Sequence, residues 1–261
     1  MNKPRVLIGT PTYDGKEYCL HLWVQFIKKI EKSSKLAKCD VVLVDNSEGG
    51  RYSNLLKNTY KIKTIKSNHY ENQPLRSLAE SRSSLYQYAM DYEYDYLLSI
   101  EQDVFPPINI VDRLLCIRNT IRSKKSVIGT PYILTNITQG KPLYLSVDKL
   151  TNVGIDRVYS QKFKRKIQKN MTLKEITKCK KVFKVYAPGF GCTLVDVSIL
   201  PFIKVKYTEK KFRPDDAFFY LDIYKMHIPV YVDPQLMGKI IHIEGNIHAL
   251  ESWGTYSKKK G

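Results

Sequence analysis

The chain has 261 residues, of which 43% are hydrophobic and 26% are charged, and this composition excludes a disordered or fibrous protein. No apolar run approaches the roughly 18–20 residues that cross a bilayer, and the N-terminus lacks the apolar core of a secretory signal, so we expect a cytoplasmic protein. The formal net charge of +18 at pH 7 indicates an anionic partner: a nucleic acid, an acidic membrane surface or a phosphorylated substrate. Five cysteines without C-x-x-C spacing argue against a disulfide framework and a zinc site.

Strand and helix patterns alternate through the first half of the chain. The predicted strands are Arg5–Gly9, Val41–Val44, Ile62–Lys66 and Tyr96–Ile100. The predicted helices between them are Glu17–Lys32, Tyr52–Asn58 and Arg76–Tyr92. Apolar strands that alternate with helices are typical of βαβ units. We therefore predict an α/β fold with a mixed, mainly parallel central sheet and helices on both of its faces.

The second half of the chain has a less regular pattern. Its predicted helices are Ile108–Arg122 and Pro214–Met226. Its predicted strands are Ser126–Gly129, Val182–Tyr186, Cys192–Val195, Val230–Val232 and Lys239–Ile243. Residues from about 137 to 184 are rich in lysine and form a predicted basic insertion over the carboxyl edge of the sheet. No internal repeat is evident, so we expect one domain over residues 1–261.

Polar residues follow several of the predicted strands. Thr10-Pro11-Thr12, Asp45, and the pair Glu101 and Asp103 all come after strands, so we expect them to meet in one crevice. Two carboxylates separated by one residue suit a hard cation such as Mg²⁺ or Mn²⁺ that bridges phosphate oxygens. The alternatives are an acidic turn at Glu101 and Asp103, and a turn-capping role for Asp45.

Seven segments, in this order and spacing, together resemble the GT-A-fold glycosyltransferases, and most closely the inverting, family-2-like enzymes. The segments are Gly9-Thr-Pro-Thr-Tyr13, Val42-Leu-Val-Asp45, Ser81-Arg82-Ser83, Leu97-Leu-Ser-Ile-Glu-Gln-Asp103, Pro188-Gly-Phe-Gly-Cys192, Pro214-Asp-Asp216 and His242. The resemblance covers most of the chain outside the basic insertion. It departs from the family pattern at Glu101, where the family's acidic D-x-D motif begins with aspartate.

The resemblance implies a role for each matching residue. The implied nucleotide-sugar-binding residues are Thr10, Pro11, Thr12, Tyr13, Asp45, Arg82, Glu101, Gln102 and Gly189. The implied ligands of Mn²⁺ or Mg²⁺ are Asp103, Glu101 and His242. Asp216 is the implied catalytic base, Asp215 would orient the acceptor, and Phe190 would stack on a sugar face. Several of these roles have a competing interpretation. Arg82 would be a solvated surface residue, His242 would be a core histidine, and Asp215 and Asp216 would only match the charge of a helix N-terminus.

The activity that the resemblance implies is transfer of a sugar from a UDP- or GDP-linked donor to the hydroxyl of a glycan, a lipid-linked acceptor or a protein. Residues 1–103 would bind the donor and residues 104–261 the acceptor, and lysine-rich segments would place the enzyme at an anionic inner membrane face. Missing G-x-G-x-x-G and G-x-x-x-x-G-K-[ST] motifs argue against a dinucleotide oxidoreductase and a P-loop NTPase. A basic nucleic-acid-binding protein and a sugar nucleotidyltransferase remain as alternatives. Acidic residues at the strand ends make nucleic acid the less favoured partner, because they would repel phosphates unless a cation intervenes.

Overall fold

The computed structural model describes residues 2–131, 134–136, 143–145, 178–208, 215–236 and 239–243. The strands are β1 (Arg5–Thr12), β2 (Lys38–Asp45), β3 (Lys63–Lys66), β4 (Tyr96–Ile100), β5 (Val104–Phe105), β6 (Val127–Gly129), β7 (Leu134–Asn136), β8 (Leu143–Leu145), β9 (Phe183–Val185), β10 (Cys192–Asp196), β11 (Val230–Val232) and β12 (Ile241–His242). The α-helices are α1 (Glu17–Ser33), α2 (Arg51–Asn54), α3 (Pro74–Asp91), α4 (Ile110–Thr120) and α5 (Asp215–Lys225). Most of the predicted basic insertion lies outside the described residues.

The central sheet has eight strands in the order β3-β2-β1-β4-β10-β6-β11-β9. Strands β3, β2, β1 and β4 pair in parallel, as do β6 and β11. Strand β10 is antiparallel to both β4 and β6, and β9 is antiparallel to β11. Six strands therefore run in one direction and two in the other. This confirms the predicted mixed, mainly parallel sheet, and the arrangement is Rossmann-like.

Successive residues of the central strands point to opposite faces of the sheet. On one face, Val6 and Ile8 of β1 belong to a core cluster with residues of α1 and α4. On the other face, Leu7 belongs to a second core cluster with residues of α3 and α5. Helices therefore cover both faces, as predicted.

Helix α1 shows how the sequence positions the residues at the sheet edge. Cys19, Trp23, Ile27 and Ile30 recur at helical spacing, and all four are fully buried. Burying one large apolar side chain contributes about 1.5–3 kcal/mol, so this face fixes the helix against the sheet. The indole Nε1 of Trp23 also donates a hydrogen bond of 3.1 Å to the carbonyl oxygen of Glu101. The helix thus holds the turn that follows β4.

The carboxyl ends of the parallel strands lie at one edge of the sheet. Thr12 pairs with Asp45 across β1 and β2, and Gly9 pairs with Ser99 across β1 and β4. Because the strands run in the same direction, the segments that follow them emerge side by side.

The structure differs from the predictions near the C-terminus. The predicted strand Lys239–Ile243 is shortened to β12, which pairs with the unpredicted β5 in a separate two-stranded sheet. Its partner residues Val104 and Phe105 follow directly after Asp103, so this pairing carries His242 to the edge of the central sheet. The predicted helix at Tyr52–Asn58 is instead the single turn α2 followed by a π-helix, Leu55–Thr59. None of the helices among the described residues has the length and apolar composition of a membrane span.

Candidate active site

The turn between β4 and β5 contains Glu101, Gln102 and Asp103, and we call it the acidic turn. Its backbone is closed by a hydrogen bond of 2.9 Å from Val104 N to Glu101 O. Glu101 N donates to Gly191 O at 3.0 Å, which joins the turn to the loop before β10. At its other end, Ile243 N donates to Asp103 O at 2.9 Å. One bond within the turn and bonds to two other parts of the chain therefore fix the backbone that carries the two carboxylates.

Glu101, Asp103 and His242 form a cluster of potential metal ligands. One ligand atom from each of the three residues lies within 4.8 Å of the other two. The Nε2 atom of His242 is 3.5 Å from Oδ2 of Asp103. The Oδ1 atom of Asp103 is buried and has no hydrogen-bond partner among the described residues. This buried oxygen lies beside a second carboxylate and an imidazole. The three groups together suit an ion of the Mn²⁺ or Mg²⁺ type.

The two carboxylates of this cluster have different protonation behaviour. Burial tends to raise the pKa of Asp103, but the hydrogen bond from His242 and the charge of Lys16 hold that pKa at about 2. Burial, followed by the charge of Asp103, raises the pKa of Glu101 above its ordinary value. Asp103 is therefore ionised at neutral pH, and a cation at the cluster would favour the ionised form of Glu101 as well.

A cavity of about 450 Å³, which we call the edge cavity, lies beside this cluster. Eight of the predicted site residues line it: Thr10, Pro11, Thr12, Tyr13, Arg82, Glu101, Gln102 and Asp103. Its volume is in the range of small-molecule sites, about 300–1,000 Å³. The loop after β1 and the acidic turn therefore share one concave site, with Arg82 of α3 in its wall.

Gln102 connects the acidic turn to the loop after β1. Its side chain is buried and accepts a hydrogen bond from the hydroxyl of Thr12. Its Nε2 atom donates to the hydroxyl of Tyr52 at 2.9 Å and to the carbonyl oxygen of Lys16 at 3.2 Å. Gln102 therefore holds the acidic turn against the loop after β1 and also lines the edge cavity.

Asp45 lies at the sheet edge but does not line the edge cavity. Its carboxylate is fully buried and accepts hydrogen bonds from the backbone N–H of Ser47 at 2.8 Å and from the hydroxyls of Ser47 and Ser53. Lys66 Nζ lies 3.2 Å from Oδ2 of Asp45. Burial tends to raise the pKa of Asp45, whereas these hydrogen bonds lower it. The contacts are those of the alternative interpretation, a residue that caps its own turn.

Arg82 and Asp215 form a buried ion pair. The Nε atom of Arg82 is 2.8 Å from Oδ2 of Asp215, and each side chain is 3% exposed. The guanidinium also donates to the hydroxyl of Ser99 at 3.2 Å and lies over the ring of Phe190, 4.6 Å from its centroid. Burial tends to lower the pKa of Arg82, but the charge of Asp215 raises it, so the guanidinium stays charged. Arg82 therefore connects the edge cavity to the first residue of α5.

Asp216 follows Asp215 in the first turn of α5. Its carboxyl group is partly buried, and its Oδ1 atom has no hydrogen-bond partner in the part of the chain that the structure describes. Burial, then the charges of Asp215 and Glu101, raise its pKa to about 7. Its neighbour Asp215 pairs with Arg82, and Arg82 lines the edge cavity. A carboxyl with a pKa near neutrality is suited to accept a proton at physiological pH.

Gly189 and Phe190 are not among the residues that line the edge cavity. The carbonyl oxygen of Gly189 accepts a hydrogen bond of 2.9 Å from the hydroxyl of Thr193. Phe190 is 1% exposed and packs edge-on against Phe219, with 4.8 Å between ring centroids. The expectation that Phe190 stacks on a sugar face is wrong, because its ring is part of the core under Arg82.

Several residues of the edge cavity were missed in the sequence. Lys16 lines it and forms an ion pair with Oδ2 of Asp103. His69 and Tyr70, from the loop after β3, also line the cavity. The signal for Lys16 was its position in the loop after β1, which was already assigned to the site. His69 and Tyr70 follow the predicted strand Ile62–Lys66 in the same way, but without a recognisable motif.

Solved structures that are similar to this chain include protein A197 from STIV, which has 14% sequence identity, covers 94% of this chain and 87% of that chain, and has a TM-score of 0.42. S. aureus TarS has 14% sequence identity to this chain and a TM-score of 0.48. The match covers 88% of this chain and 36% of TarS. Glucosyl-3-phosphoglycerate synthase from Mycobacterium tuberculosis, solved with Mn²⁺, UDP and glucosyl-3-phosphoglycerate, has 11% identity over 97% of this chain and 77% of that chain, with a TM-score of 0.48. No protein-family model matches the chain, and no curated protein matches its sequence.

Proposed function

We propose that this chain is a glycosyltransferase that moves a sugar from a nucleoside diphosphate-sugar to an acceptor hydroxyl. The observation that carries the proposal is the cluster of Glu101, Asp103 and His242 beside the edge cavity. An oxygen-rich cation site next to a cavity of this size suits a ligand that carries a diphosphate. The GT-A motifs of the sequence supply the class of reaction.

Glu101, Asp103 and His242 would hold Mn²⁺ or Mg²⁺. When bound, such an ion supplies positive charge that offsets the negative charge developing on the departing nucleoside diphosphate. The loop from Thr10 to Tyr13 lines the same cavity and would contact the nucleoside. Tyr13 is 46% exposed, so its ring is accessible to a ligand.

Asp216 would act as the base that takes the proton from the acceptor hydroxyl. The proton would pass to a carboxylate oxygen of Asp216 while the hydroxyl oxygen attacks the anomeric carbon and the nucleoside diphosphate departs. A pKa raised to about 7 by burial allows the carboxylate to take up a proton near physiological pH. Asp215 would position Asp216 through its ion pair with Arg82 rather than contact the substrate. Attack on the face opposite the leaving group would invert the anomeric configuration.

The test is a thermal unfolding assay with UDP or GDP, each with and without Mn²⁺. A ligand that binds only the folded state raises the unfolding temperature. We expect one of the two nucleotides to stabilise the protein in the presence of Mn²⁺ and not in the presence of EDTA. Asp103→Asn should remove this stabilisation, whereas the matched change Asp91→Asn, at an exposed carboxylate of α3, should keep it. Stabilisation by neither nucleotide would contradict the proposal.

A nucleic-acid-binding protein is the alternative that the charge of +18 favours. Binding of an oligonucleotide through lysine and arginine would weaken steeply with salt and would need no divalent metal. Metal-independent, salt-sensitive binding of a single-stranded oligonucleotide, combined with no response to UDP or GDP, would support this alternative over the transferase.

A further inference from the structure

Lys16 already occupies the carboxylate that the proposed metal would need. Its ammonium group contacts Oδ2 of Asp103, the same oxygen that lies 3.5 Å from His242. The Asp103 side chain is 4% exposed, so its charge is poorly screened by solvent. A divalent ion on this carboxylate, through Oδ2 or through the unpartnered Oδ1, would be close to a second positive charge, and the two cations would repel each other.

The backbone of Lys16 is fixed, whereas its side chain has room to move. The carbonyl oxygen of Lys16 accepts hydrogen bonds from Gln102 at 3.2 Å and from the thiol of Cys19 at 3.3 Å. The backbone N–H of Lys16 donates to Tyr13 O at 2.9 Å. Its side chain is 29% exposed and lines the edge cavity. A flexible four-carbon stem on an anchored backbone allows the ammonium to turn from Asp103 into the cavity.

We propose that Lys16 couples the binding of metal to the binding of nucleotide. In the free protein the Lys16 ammonium neutralises Asp103 and disfavours a divalent ion. When a nucleoside diphosphate enters, Lys16 pairs with a phosphate oxygen and releases Asp103 to the metal. This inference rests on the proposed function, because it takes the ligand of the edge cavity to be a nucleoside diphosphate.

Coupling between two ligands is reciprocal, so the nucleotide should tighten Mn²⁺ binding by the same factor by which Mn²⁺ tightens nucleotide binding. The position of the ammonium determines the sign of the coupling. Without a nucleotide, Lys16 competes with the metal; with a nucleotide, it contributes an additional contact to the phosphates. Loss of the charge should therefore strengthen the binding of Mn²⁺ alone and weaken the binding of nucleotide in the presence of Mn²⁺.

The experiment measures free Mn²⁺ by electron paramagnetic resonance during titration of the full-length protein, alone and with saturating UDP or GDP. For Lys16→Met we expect the Kd of Mn²⁺ alone to fall on the order of tenfold. The factor by which the nucleotide lowers the Kd of Mn²⁺ should become smaller by a similar amount. Lys16→Arg keeps the charge and should retain most of the coupling. Lys29→Met removes the same charge from an exposed position outside the edge cavity, and it should behave as the wild type.

The possible outcomes separate this inference from the proposed function. Equal Mn²⁺ affinities for the wild type and Lys16→Met, with the nucleotide effect retained in both, would overturn the role of Lys16 and leave the transferase proposal intact. Weaker binding of Mn²⁺ alone by Lys16→Met would also overturn it, since Lys16 would then support the site. If none of the variants binds Mn²⁺, with or without either nucleotide, both the inference and the proposed function are overturned.

Discussion

Arg82 of α3 donates a hydrogen bond of 2.8 Å to Asp215, the first residue of α5. Both side chains are buried, and the guanidinium lines the edge cavity while its partner adjoins Asp216. This ion pair therefore joins the proposed donor site to the proposed base. Its removal should affect both the stability of the fold and the geometry of transfer.

Arg82→Met tests the structural part of this role. The substitution leaves the carboxylate of Asp215 buried without its counter-ion, so we expect the free energy of unfolding to fall by about 3–5 kcal/mol. Urea denaturation at pH 7 measures the change. Arg51→Gln breaks an exposed ion pair with Glu17, with side-chain exposures of 66% and 42%, and should cost far less, because solvent screens the pair. Similar losses in the two variants would show that burial gives the Arg82 pair no special importance.

Asp216 should make stability depend on pH in a direction opposite to that of an ordinary ion-paired carboxylate. Its pKa is raised from 3.8 to about 7, so between these values the folded state keeps a proton that the unfolded state has lost. Stability therefore falls as pH rises from about 4 to about 7. Asp216→Asn removes this titration. The free energy of unfolding of the variant minus that of the wild type should therefore increase as pH rises from about 4 to about 7. A difference that stays constant between pH 4 and pH 8 in urea denaturation would refute the elevated pKa.

Gln102→Leu should destabilise the protein because Gln102 is buried and hydrogen-bonded. The substitution leaves the hydroxyls of Thr12 and Tyr52 without their amide partner, and an unsatisfied buried polar group costs about 1–3 kcal/mol. We expect a loss of about 2 kcal/mol in the free energy of unfolding. Gln87→Leu is the matched control, since Gln87 is exposed on α3 and bonds only to Asp91 among the contacts described. An equal effect at both positions would argue against the buried network.

The local patterns of the sequence were sufficient to predict the sheet and most of its helices. Apolar runs such as Tyr96–Ile100 are buried between two layers of helices, and burial on both faces removes the polar alternation of an exposed strand. The prediction that Glu101 and Asp103 belong to the site followed from their position after that strand, because ligands bind at the carboxyl ends of parallel strands. These predictions depend on short stretches of sequence.

The remaining features depend on contacts between distant parts of the chain. Strands β5 and β12 have two residues each, too few for a periodic pattern, and their pairing joins positions more than a hundred residues apart. The orientation of the Asp45 carboxylate depends on hydroxyls from Ser47 and Ser53, and the sequence offered its turn-capping role only as an alternative to nucleotide binding. The position of Lys16 in the loop after β1 placed it near the site, but its ion pair with Asp103 joins residues 87 positions apart.

A crystal structure with Mn²⁺ and UDP or GDP tests the proposed metal site, because anomalous scattering at the manganese edge locates the metal. We expect one anomalous peak in contact with Asp103 and His242, with the diphosphate in the edge cavity on the other side of the ion. A nucleotide bound elsewhere, or a manganese peak that contacts neither Asp103 nor His242, would contradict this expectation.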